Sequence, residues 1–250
     1  MKIEILGCSG SVMPGYNTTS ILLNGDTLID AGSAASVLDE FAISAIRNIL
    51  ITHSHLDHIK ELPFILDTLY SQNGSCVTIW GSSETVSSLH EHIFNGIIWP
   101  EIRELNCQRE FVKILEVPRK EFILGSIQVE TMLVDHISGS LSYLFTDGKV
   151  KVIFSGDTGY DNRLFDIVHM LNTDLKALFV EVSFPNRLEE FAVLTRHLTP
   201  NLLEMGLGDM ISSPLKVFAY HMKPKYIDEV VAELPANVAY ISGGEVFDFE

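Results

Sequence analysis

The chain has 250 residues, of which 46% are hydrophobic and 20% are charged. This is the composition of an ordinary globular protein, and a chain of this length buries about 70–75% of its unfolded surface, so it needs no disulfide bonds. Its 33 acidic residues outnumber 17 Lys and Arg, for a formal net charge of −16, which argues against binding of duplex DNA or RNA through a broad basic face. A small anionic substrate is not excluded, because bound cations can invert the field in a cleft.

Cysteine usage and the N-terminal sequence indicate a reducing compartment. Cys8, Cys76 and Cys107 are far apart and odd in number, so we expect no disulfide framework. The segment Met1–Leu6 leads into a strand-like pattern without the apolar core of about 7–15 residues that a signal peptide has. No apolar run approaches the roughly 20 residues of a membrane span. We therefore expect a cytoplasmic protein that does not associate with membranes.

Short β-branched runs alternate with helical stretches along the chain. The predicted strands are Lys2–Leu6, Thr19–Leu23, Thr27–Ile29, Asn48–Thr52, Val77–Trp80, Phe111–Val117, Ile127–Val134, Ser142–Thr146, Val150–Ser155, Ala177–Val182, Val217–Tyr220 and Val238–Ser242. The predicted helices are Ala34–Phe41, Glu61–Ser71, Ser83–His92, Asn162–Leu171, Leu188–Arg196, Pro200–Met205 and Tyr226–Leu234. The first half reads as antiparallel strands and the second as alternating strands and helices. Two sheets between layers of helices would accommodate this pattern.

A cluster of metal-ligand residue types follows the predicted strand Asn48–Thr52. It reads His-Ser-His-Leu-Asp-His and runs from His53 to His58. Imidazole and carboxylate groups are the ligands that borderline divalent ions prefer. A loop leaving a strand can direct His53 and His55 toward one point and then turn Asp57 and His58 toward a second. One ion rarely takes four ligands from so short a segment, so the spacing predicts two ions side by side.

Three more residues of these types follow predicted strands. They are His136, Asp157 and His221. Asp157 lies in a Gly-Asp-Thr-Gly segment whose glycines, Gly156 and Gly159, permit a tight turn and a close approach of the backbone. Each residue alone is equally compatible with a structural role. Because the strands of a sheet end along one rim, we expect all three to converge on the histidine cluster.

These residues together resemble the metallo-β-lactamase superfamily. The resemblance implies an α/β fold, an αββα sandwich with a two-metal site at one edge, as a single domain over residues 1–250. It implies that three residues bind each ion and that Asp157 bridges both. The ligands are His53, His55 and His136 for one ion and Asp57, His58 and His221 for the other. Members of the superfamily usually use zinc, and manganese and iron also occur, so we expect two divalent ions, most simply Zn²⁺.

Further segments narrow the resemblance to the class II 3′,5′-cyclic-nucleotide phosphodiesterases. Besides Leu56 within the histidine cluster, they are His92–Asn95, Ile98–Pro100, Glu181–Asn186, and His197–Pro200 with Leu202 and Leu203. The chain departs from that class at Lys60 and Glu61, where a small residue followed by an apolar one is general. It also has Thr68 where serine is usual. We expect these positions to lie just behind the site and to affect metal binding little.

The resemblance implies hydrolysis of a cyclic nucleotide to a 5′-monophosphate. Two cations about 3.5–4 Å apart neutralise a phosphodiester and lower the pKa of a bound water. The resemblance makes His197 the candidate that contacts the substrate and protonates the leaving 3′ oxygen. Such general acid catalysis contributes about 10²–10⁴-fold. Asp57 is the second candidate catalytic residue. On the residues alone, a helix-capping or packing role fits His197 as well.

Three other residues are candidates for supporting roles. Asp30 follows a predicted strand and would hydrogen-bond a ligand histidine, fixing its tautomer, although a turn or cap role fits equally. Phe94 and Trp99 would wall the cleft against the nucleotide base, although aromatic residues at such spacing are also typical of a core. The expected partner is a small cyclic nucleotide, and a homodimer is compatible with the sequence.

Several other functions remain open. A tRNA 3′-processing endonuclease of the RNase Z type shares the ligand set, but the 20 residues between His136 and Asp157 leave little room for the tRNA-gripping arm often inserted there. The acidity of the chain also disfavours a large polyanion. The spacing of the motifs does not distinguish hydrolysis of other small phosphodiesters from hydrolysis of cyclic AMP or cyclic GMP. A non-catalytic nucleotide or metal sensor is disfavoured because all seven ligands are present, and the phosphodiesterase-like segments argue against a lactonase or thioesterase.

Overall fold

Two mixed sheets form the centre of the computed structural model, which describes residues 1–71 and 76–249. The strands are β1 (Lys2–Gly7), β2 (Ser20–Leu23), β3 (Thr27–Ile29), β4 (Asn48–Leu50), β5 (Val77–Gly81), β6 (Val112–Glu116), β7 (Phe122–Leu124), β8 (Ile127–Leu133), β9 (Leu141–Thr146), β10 (Lys151–Phe154), β11 (Leu175–Glu181), β12 (Lys216–Tyr220), β13 (Val238–Tyr240) and β14 (Val246–Asp248). The α-helices are α1 (Glu40–Ala45), α2 (Leu56–Ile59), α3 (Leu62–Ser71), α4 (Ser83–Ser88), α5 (Ile102–Leu105), α6 (Asn162–Leu171), α7 (Glu189–Thr195), α8 (Pro200–Leu207) and α9 (Ile227–Glu233).

Each sheet is half antiparallel and half parallel. The first has the order β14-β1-β2-β3-β4-β5-β6, and the second has the order β13-β12-β11-β10-β9-β8-β7. Strands β3 to β6 pair in parallel, as do β10 to β13, and the other neighbours are antiparallel. The expectation of an antiparallel first half was therefore wrong for β3 to β6. Parallel pairing there needs crossover connections, which contain α1 between β3 and β4, α2 and α3 between β4 and β5, and α4 and α5 between β5 and β6.

Three hydrophobic clusters separate four layers. One lies between the sheets and includes Tyr143, Phe154 and Phe179, the last two stacked with ring centroids 4.4 Å apart. A second joins the outer face of the first sheet to α3 and its neighbours, and a third joins the second sheet to α6, α8 and α9. The predicted αββα sandwich is confirmed.

The predicted helix Ala34–Phe41 is displaced in the structure. The helix begins at Glu40, because the side chain of Asp39 accepts a hydrogen bond from the backbone N–H of Ala42 and caps it there. The preceding residues form a turn. Four short elements, β7, β14, α2 and α5, were not predicted, since three or four residues carry too little periodicity to read.

The two sheets are joined along one edge. The backbone N–H of Leu141 donates to the carbonyl of Thr52 at 2.9 Å, and the Tyr143 hydroxyl donates to the carbonyl of Ile51 at 2.9 Å. A further contact joins the residues that follow β1 and β12, where the N–H of His221 donates to the carbonyl of Cys8 at 2.6 Å. This edge is therefore fixed by backbone contacts between the sheets as well as by side chains.

Within residues 1–71 and 76–249, none of the helices combines the length and the apolar composition that crossing a bilayer requires. The three cysteines are free thiols.

The cysteines should differ sharply in reactivity. Cys8 is buried, and burial together with the Glu245 carboxylate raises the pKa of its thiol to about 12, whereas Cys107 is exposed. Because the thiolate is the nucleophile, iodoacetamide at pH 8 should label Cys107 in the native protein and reach Cys8 only after denaturation. Peptide mass mapping checks this result, and comparable labelling of both native thiols would contradict the placement of Cys8.

Candidate metal centre

The candidate ligands lie at the carboxyl ends of strands in both sheets. His53 follows β4, and in the second sheet His136, Asp157 and His221 follow β8, β10 and β12. Strands β8, β10 and β12 all run in the same direction, so their ends share one rim. The edge at which the sheets are joined is this rim, and it brings the two sets of residues together.

Four side chains form the first ligand group. The ligand atoms of His53, His55, His136 and Asp157 lie within 4.8 Å of one another. Nε2 of His136 and Nδ1 of His55 are 3.1 Å apart. Of the four residues only His55 is exposed, so this group opens to solvent on the His55 side.

The second group consists of Asp57, His58 and His221, also within 4.8 Å of one another. Asp57 and His58 were expected on a loop, but they lie on the short helix α2, which begins directly after His55. The helix places both side chains beside His221, while the ring of His58 also stays close to that of His53, with centroids 4.2 Å apart. The Nε2 atoms of His58 and His221 are 3.2 Å apart.

Asp157 lies between the two groups. Its Oδ2 atom is 3.2 Å from Nε2 of His221, 3.4 Å from Nε2 of His58, 3.8 Å from Nε2 of His53 and 4.0 Å from Nε2 of His136. One carboxylate oxygen therefore faces four imidazole nitrogens drawn from both groups. Gly156 has φ +62°, and a Cβ there would lie 2.6 Å from the carbonyl of Leu141, so the turn that aims Asp157 requires glycine.

The donor atoms of this cluster fit divalent cations. Nε2 of His53 and Oδ1 of Asp157 are buried and have no hydrogen-bond partner in the described part of the chain. Buried polar atoms are otherwise nearly always satisfied. Nitrogen and carboxylate donors that converge in this way are the set that zinc and similar ions prefer.

Electrostatics favours the metal-binding protonation states of most of the cluster. Burial and the neighbouring His58 lower the pKa of His53 well below its ordinary value, and burial also lowers the pKa of His221. For Asp157, burial acts to raise the pKa, but His221 and His58 outweigh it and hold the pKa well below its ordinary value. Neutral imidazoles and an ionised carboxylate are the forms that bind metal ions.

His58 differs from the other histidines of the cluster. Burial acts to lower its pKa, but the carboxylates of Asp157 and Asp30 outweigh burial and raise the pKa well above its ordinary value. A cation bound at His58 must therefore displace a proton, which makes binding dependent on pH.

A second layer of hydrogen bonds orients the ligands. Asp30 Oδ2 accepts from Nδ1 of His58 at 2.7 Å and from the hydroxyl of Thr52 at 2.8 Å, and Asp30 Oδ1 accepts from the N–H of Thr52 at 2.8 Å. The contact predicted between Asp30 and a histidine of the cluster is present. Nδ1 of His136 is held by the carbonyl of Arg196 at 2.9 Å, with Arg196 in the left-handed region at φ +56°.

His197 lies beside the cluster. Its ring centroid is 4.9 Å from that of His136, and a ligand atom of its ring lies within 4.8 Å of those of Asp157 and His221. Its Nδ1 is 2.8 Å from Glu181 Oε1, and although burial acts to lower the pKa of His197, the Glu181 carboxylate raises it. The buried pair therefore favours the protonated ring.

The two aromatic residues predicted to contact a base lie elsewhere. Phe94 is 2% exposed and packs in the hydrophobic cluster outside the first sheet. Trp99 packs against Phe64 with centroids 5.8 Å apart and lines a cavity of about 340 Å³ that none of the candidate ligands borders. Apolar packing occupies the ring of Phe94, and Trp99 lies away from the candidate ligands, so neither position supports the prediction that these rings wall the cleft.

Lys60 and Glu61 lie behind the site. Lys60 Nζ donates to the carbonyl of Gly32 and to Ser33 Oγ, while Glu61 accepts from the N–H of Ser36 at 3.0 Å. A Cβ on Gly32 would lie 2.0 Å from the carbonyl of Asp57. Lys60 and Glu61 therefore hold the turn of residues 32–36 in place, and Gly32 of this turn packs against the backbone carbonyl of Asp57.

Sequence reasoning assigned no role to Glu181 or Ser183, which contact site histidines. Both were noted only as part of a resembling segment. For Glu181 the available signal was an acidic residue at the end of an apolar strand, which resembles the pattern that identified the candidate ligands His136, Asp157 and His221. The carbonyl of Arg196 had no signal, because any residue supplies a carbonyl.

The geometry and the comparisons agree on the class of protein. Solved structures with the same fold include unliganded yeast PDE1 (TM-score 0.85, 20% identity, 99% of each chain). They also include the metallo-β-lactamase fold protein YhfI from Bacillus subtilis (TM-score 0.78, 16% identity, 99% of each chain) and the short form of human tRNase Z (TM-score 0.73, 17% identity, all of each chain). The protein therefore has the metallo-β-lactamase fold.

Residues 33–229 match the model of the class-II cAMP phosphodiesterases, and the chain belongs to this family. The 3′,5′-cyclic-nucleotide phosphodiesterase 1 of Saccharomyces cerevisiae is 32% identical over 130 residues, which are 47% of this chain and 35% of the yeast protein. The probable 3′,5′-cyclic-nucleotide phosphodiesterase of Yersinia pestis is 25% identical over 278 aligned positions, which cover 90% of this chain and 79% of that protein. The match thus spans about a third of the yeast relative.

Replacing Asp30 should weaken metal binding without removing a ligand. Asp30→Asn removes the negative charge beside His58 and leaves one acceptor oxygen where the carboxylate has two, so at least one of the three donors loses its partner, and we expect metal affinity to fall about 10–100-fold. An unsatisfied buried donor should also lower the free energy of unfolding by about 1–3 kcal/mol. Titration of metal-free protein with Zn²⁺ and urea unfolding measure the two effects. Asp67→Asn on the exposed face of α3 is the matched control, and equal Zn²⁺ affinity in both variants would contradict the assignment.

Proposed function

We propose that the protein is a dinuclear metal-dependent phosphodiesterase that hydrolyses 3′,5′-cyclic nucleotides to 5′-monophosphates. The observation that carries the proposal is the convergence of seven donor side chains, with Asp157 facing both groups and with buried donor atoms left unpartnered. Membership of the class-II cAMP phosphodiesterase family supports the choice of substrate. Among the metals, Zn²⁺ fits the His-rich donor set best.

The proposed ligand assignment follows the two groups. His53, His55 and His136 would hold one ion, Asp57, His58 and His221 would hold the other, and Asp157 would contact both. Bound ions would neutralise the phosphoryl oxygens of the substrate and lower the pKa of a bound water. Asp57 then contributes to catalysis through its ion rather than by a separate contact.

His197 would supply a proton to the leaving group. Opening of the cyclic ester breaks the bond between phosphorus and the 3′ oxygen, and this oxygen needs a proton as it leaves. Nδ1 of His197 is held by Glu181 Oε1 at 2.8 Å, so Nε2 is the nitrogen that carries the transferable proton. The position of the ring beside His136 and Asp157 puts it at the edge of the ligand cluster, where a bound phosphodiester would lie.

Two substitutions should separate acid catalysis from metal binding. His197→Ala should retain both ions and lose about 10²–10⁴-fold in kcat, whereas Asp157→Ala should lower the occupancy of both. Metal content by plasma mass spectrometry and kcat on cyclic AMP are the measurements. Turnover near that of the wild type in His197→Ala would remove the acid role, and full occupancy in Asp157→Ala would remove the bridging role.

A substrate panel tests the activity itself. Protein of known metal content is assayed with cyclic AMP, cyclic GMP, 2′,3′-cyclic AMP, bis(p-nitrophenyl) phosphate and a precursor tRNA. We expect the 3′,5′-cyclic nucleotides to give the highest kcat/KM and a 5′-monophosphate as the product. Efficient tRNA cleavage with inactive cyclic AMP would identify the protein as an endonuclease instead.

A further inference from the structure

We propose that Ser183 is a positioning residue that holds His221 ready to bind its ion and links it to the carboxylate that orients His197. The proposal rests on the proposed function, because His221 is there a metal ligand and His197 the acid. It assigns a role to a residue that neither binds an ion nor contacts the substrate.

The Ser183 hydroxyl lies at the meeting point of three functional side chains. Ser183 is fully buried. Its Oγ atom is 3.0 Å from Glu181 Oε2, 3.1 Å from Nδ1 of His221 and 3.2 Å from Nδ1 of His197. The carbonyl of His221 is also 3.2 Å away. A hydroxyl has one proton to donate and two lone pairs that accept, so these contacts cannot all be made at once.

The chemistry of the partners decides how the proton is placed. An ionised carboxylate only accepts, so Ser183 donates its proton to Glu181, the shortest of its contacts. The hydroxyl oxygen is then free to accept from N–H at Nδ1 of His221. In that tautomer Nε2 of His221 carries a lone pair, and it points at Oδ2 of Asp157, 3.2 Å away. The hydroxyl therefore selects the tautomer that can bind a cation.

Glu181 extends the link to His197. One carboxylate oxygen accepts from Ser183, and the other accepts from Nδ1 of His197 at 2.8 Å and from the N–H groups of Thr158 at 3.2 Å and Leu198 at 3.3 Å. The carboxylate is completely buried, and these four donors hold it in its orientation. Ser183 is the donor that connects it to the metal side of the site.

The backbone of His221 does not make this contact redundant. His221 has φ +64°, a left-handed conformation outside regular strand geometry, and its N–H is bonded to Cys8. The bond to Cys8 fixes the backbone of His221 but not the rotation of its side chain. The orientation of the imidazole ring depends on the groups that contact the ring itself, among them Ser183. Without the hydroxyl, Nδ1 would lose its hydrogen-bond acceptor.

The proposal predicts a selective effect on one of the two ions. His221 belongs to the ligand group with Asp57 and His58 and not to the group with His53 and His55. Loss of the Ser183 hydroxyl should therefore weaken the ion held by His221 and leave the other unchanged. Because simple packing beside the ring could also act on this one ion, the tautomer of His221 is the reading that separates the two roles.

The test compares Ser183→Ala with Ser142→Ala. Ser142 is also fully buried, and its hydroxyl donates to the carbonyl of Phe154 at 2.8 Å, within the sheet. Metal-free wild type and both variants are titrated with Zn²⁺ against a competing chromophoric chelator. We expect two sites in the wild type and in Ser142→Ala, whereas in Ser183→Ala one site is unchanged and the other is weakened about 10–100-fold.

A second measurement reads the tautomer directly. Long-range ¹H–¹⁵N spectra of the histidine side chains should show His221 protonated at Nδ1 in zinc-loaded wild type, and this signal should shift in Ser183→Ala.

Each outcome decides a different claim. Two unchanged Zn²⁺ affinities in Ser183→Ala, or an equal weakening of both, would overturn the role of Ser183 and leave the proposed function standing. A wild type that binds fewer than two ions would instead overturn the proposed function, and this inference with it.

Discussion

The cluster around Asp157 imposes the main constraint on this structure. A carboxylate and several imidazoles are buried with their donor atoms pointing at one another, and two of these atoms have no partner among the described residues. Leaving such atoms unsatisfied in a buried site costs free energy that a bound cation would recover. The layers of hydrogen bonds behind the cluster, through Asp30, Glu181 and Ser183, make sense as devices that keep the donor atoms aimed at that point.

The fold brings these donor atoms together from distant parts of the chain. Parallel strands end at a common rim, so a residue placed directly after each strand reaches the same place whatever its distance in sequence. Hydrogen bonds between the two sheets, such as that from Leu141 to Thr52, hold the strand ends of one sheet next to those of the other. Lys60, which lies behind the site, stabilises the neighbouring loop through the carbonyl of Gly32 and is not itself a candidate ligand.

Much of this arrangement could be predicted from the sequence, because it depends on local patterns. A polar residue directly after an apolar strand is visible in the chain, and that pattern identified His136, Asp157 and His221. What could not be predicted depends on packing at a distance. The burial of Phe94 follows from neighbours that only the folded chain supplies, whereas the displaced start of α1 is an exception, because it follows from the local cap at Asp39. Ser183 gave no local signal, because the site histidines that it contacts are residues 197 and 221.

The contribution of both sheets to each ligand group has a mechanical consequence. Each group contains side chains from the segment between β4 and α3 and side chains that follow strands of the second sheet. Ions held there would act as cross-links between the two halves of the sandwich, much as a disulfide ties two segments of chain. Stability against separation of the sheets would then rise with the free ion concentration by mass action. Chelation should accordingly loosen the molecule first along this edge, so that occupancy of the proposed metal centre and cohesion of the fold would be governed by the same equilibrium.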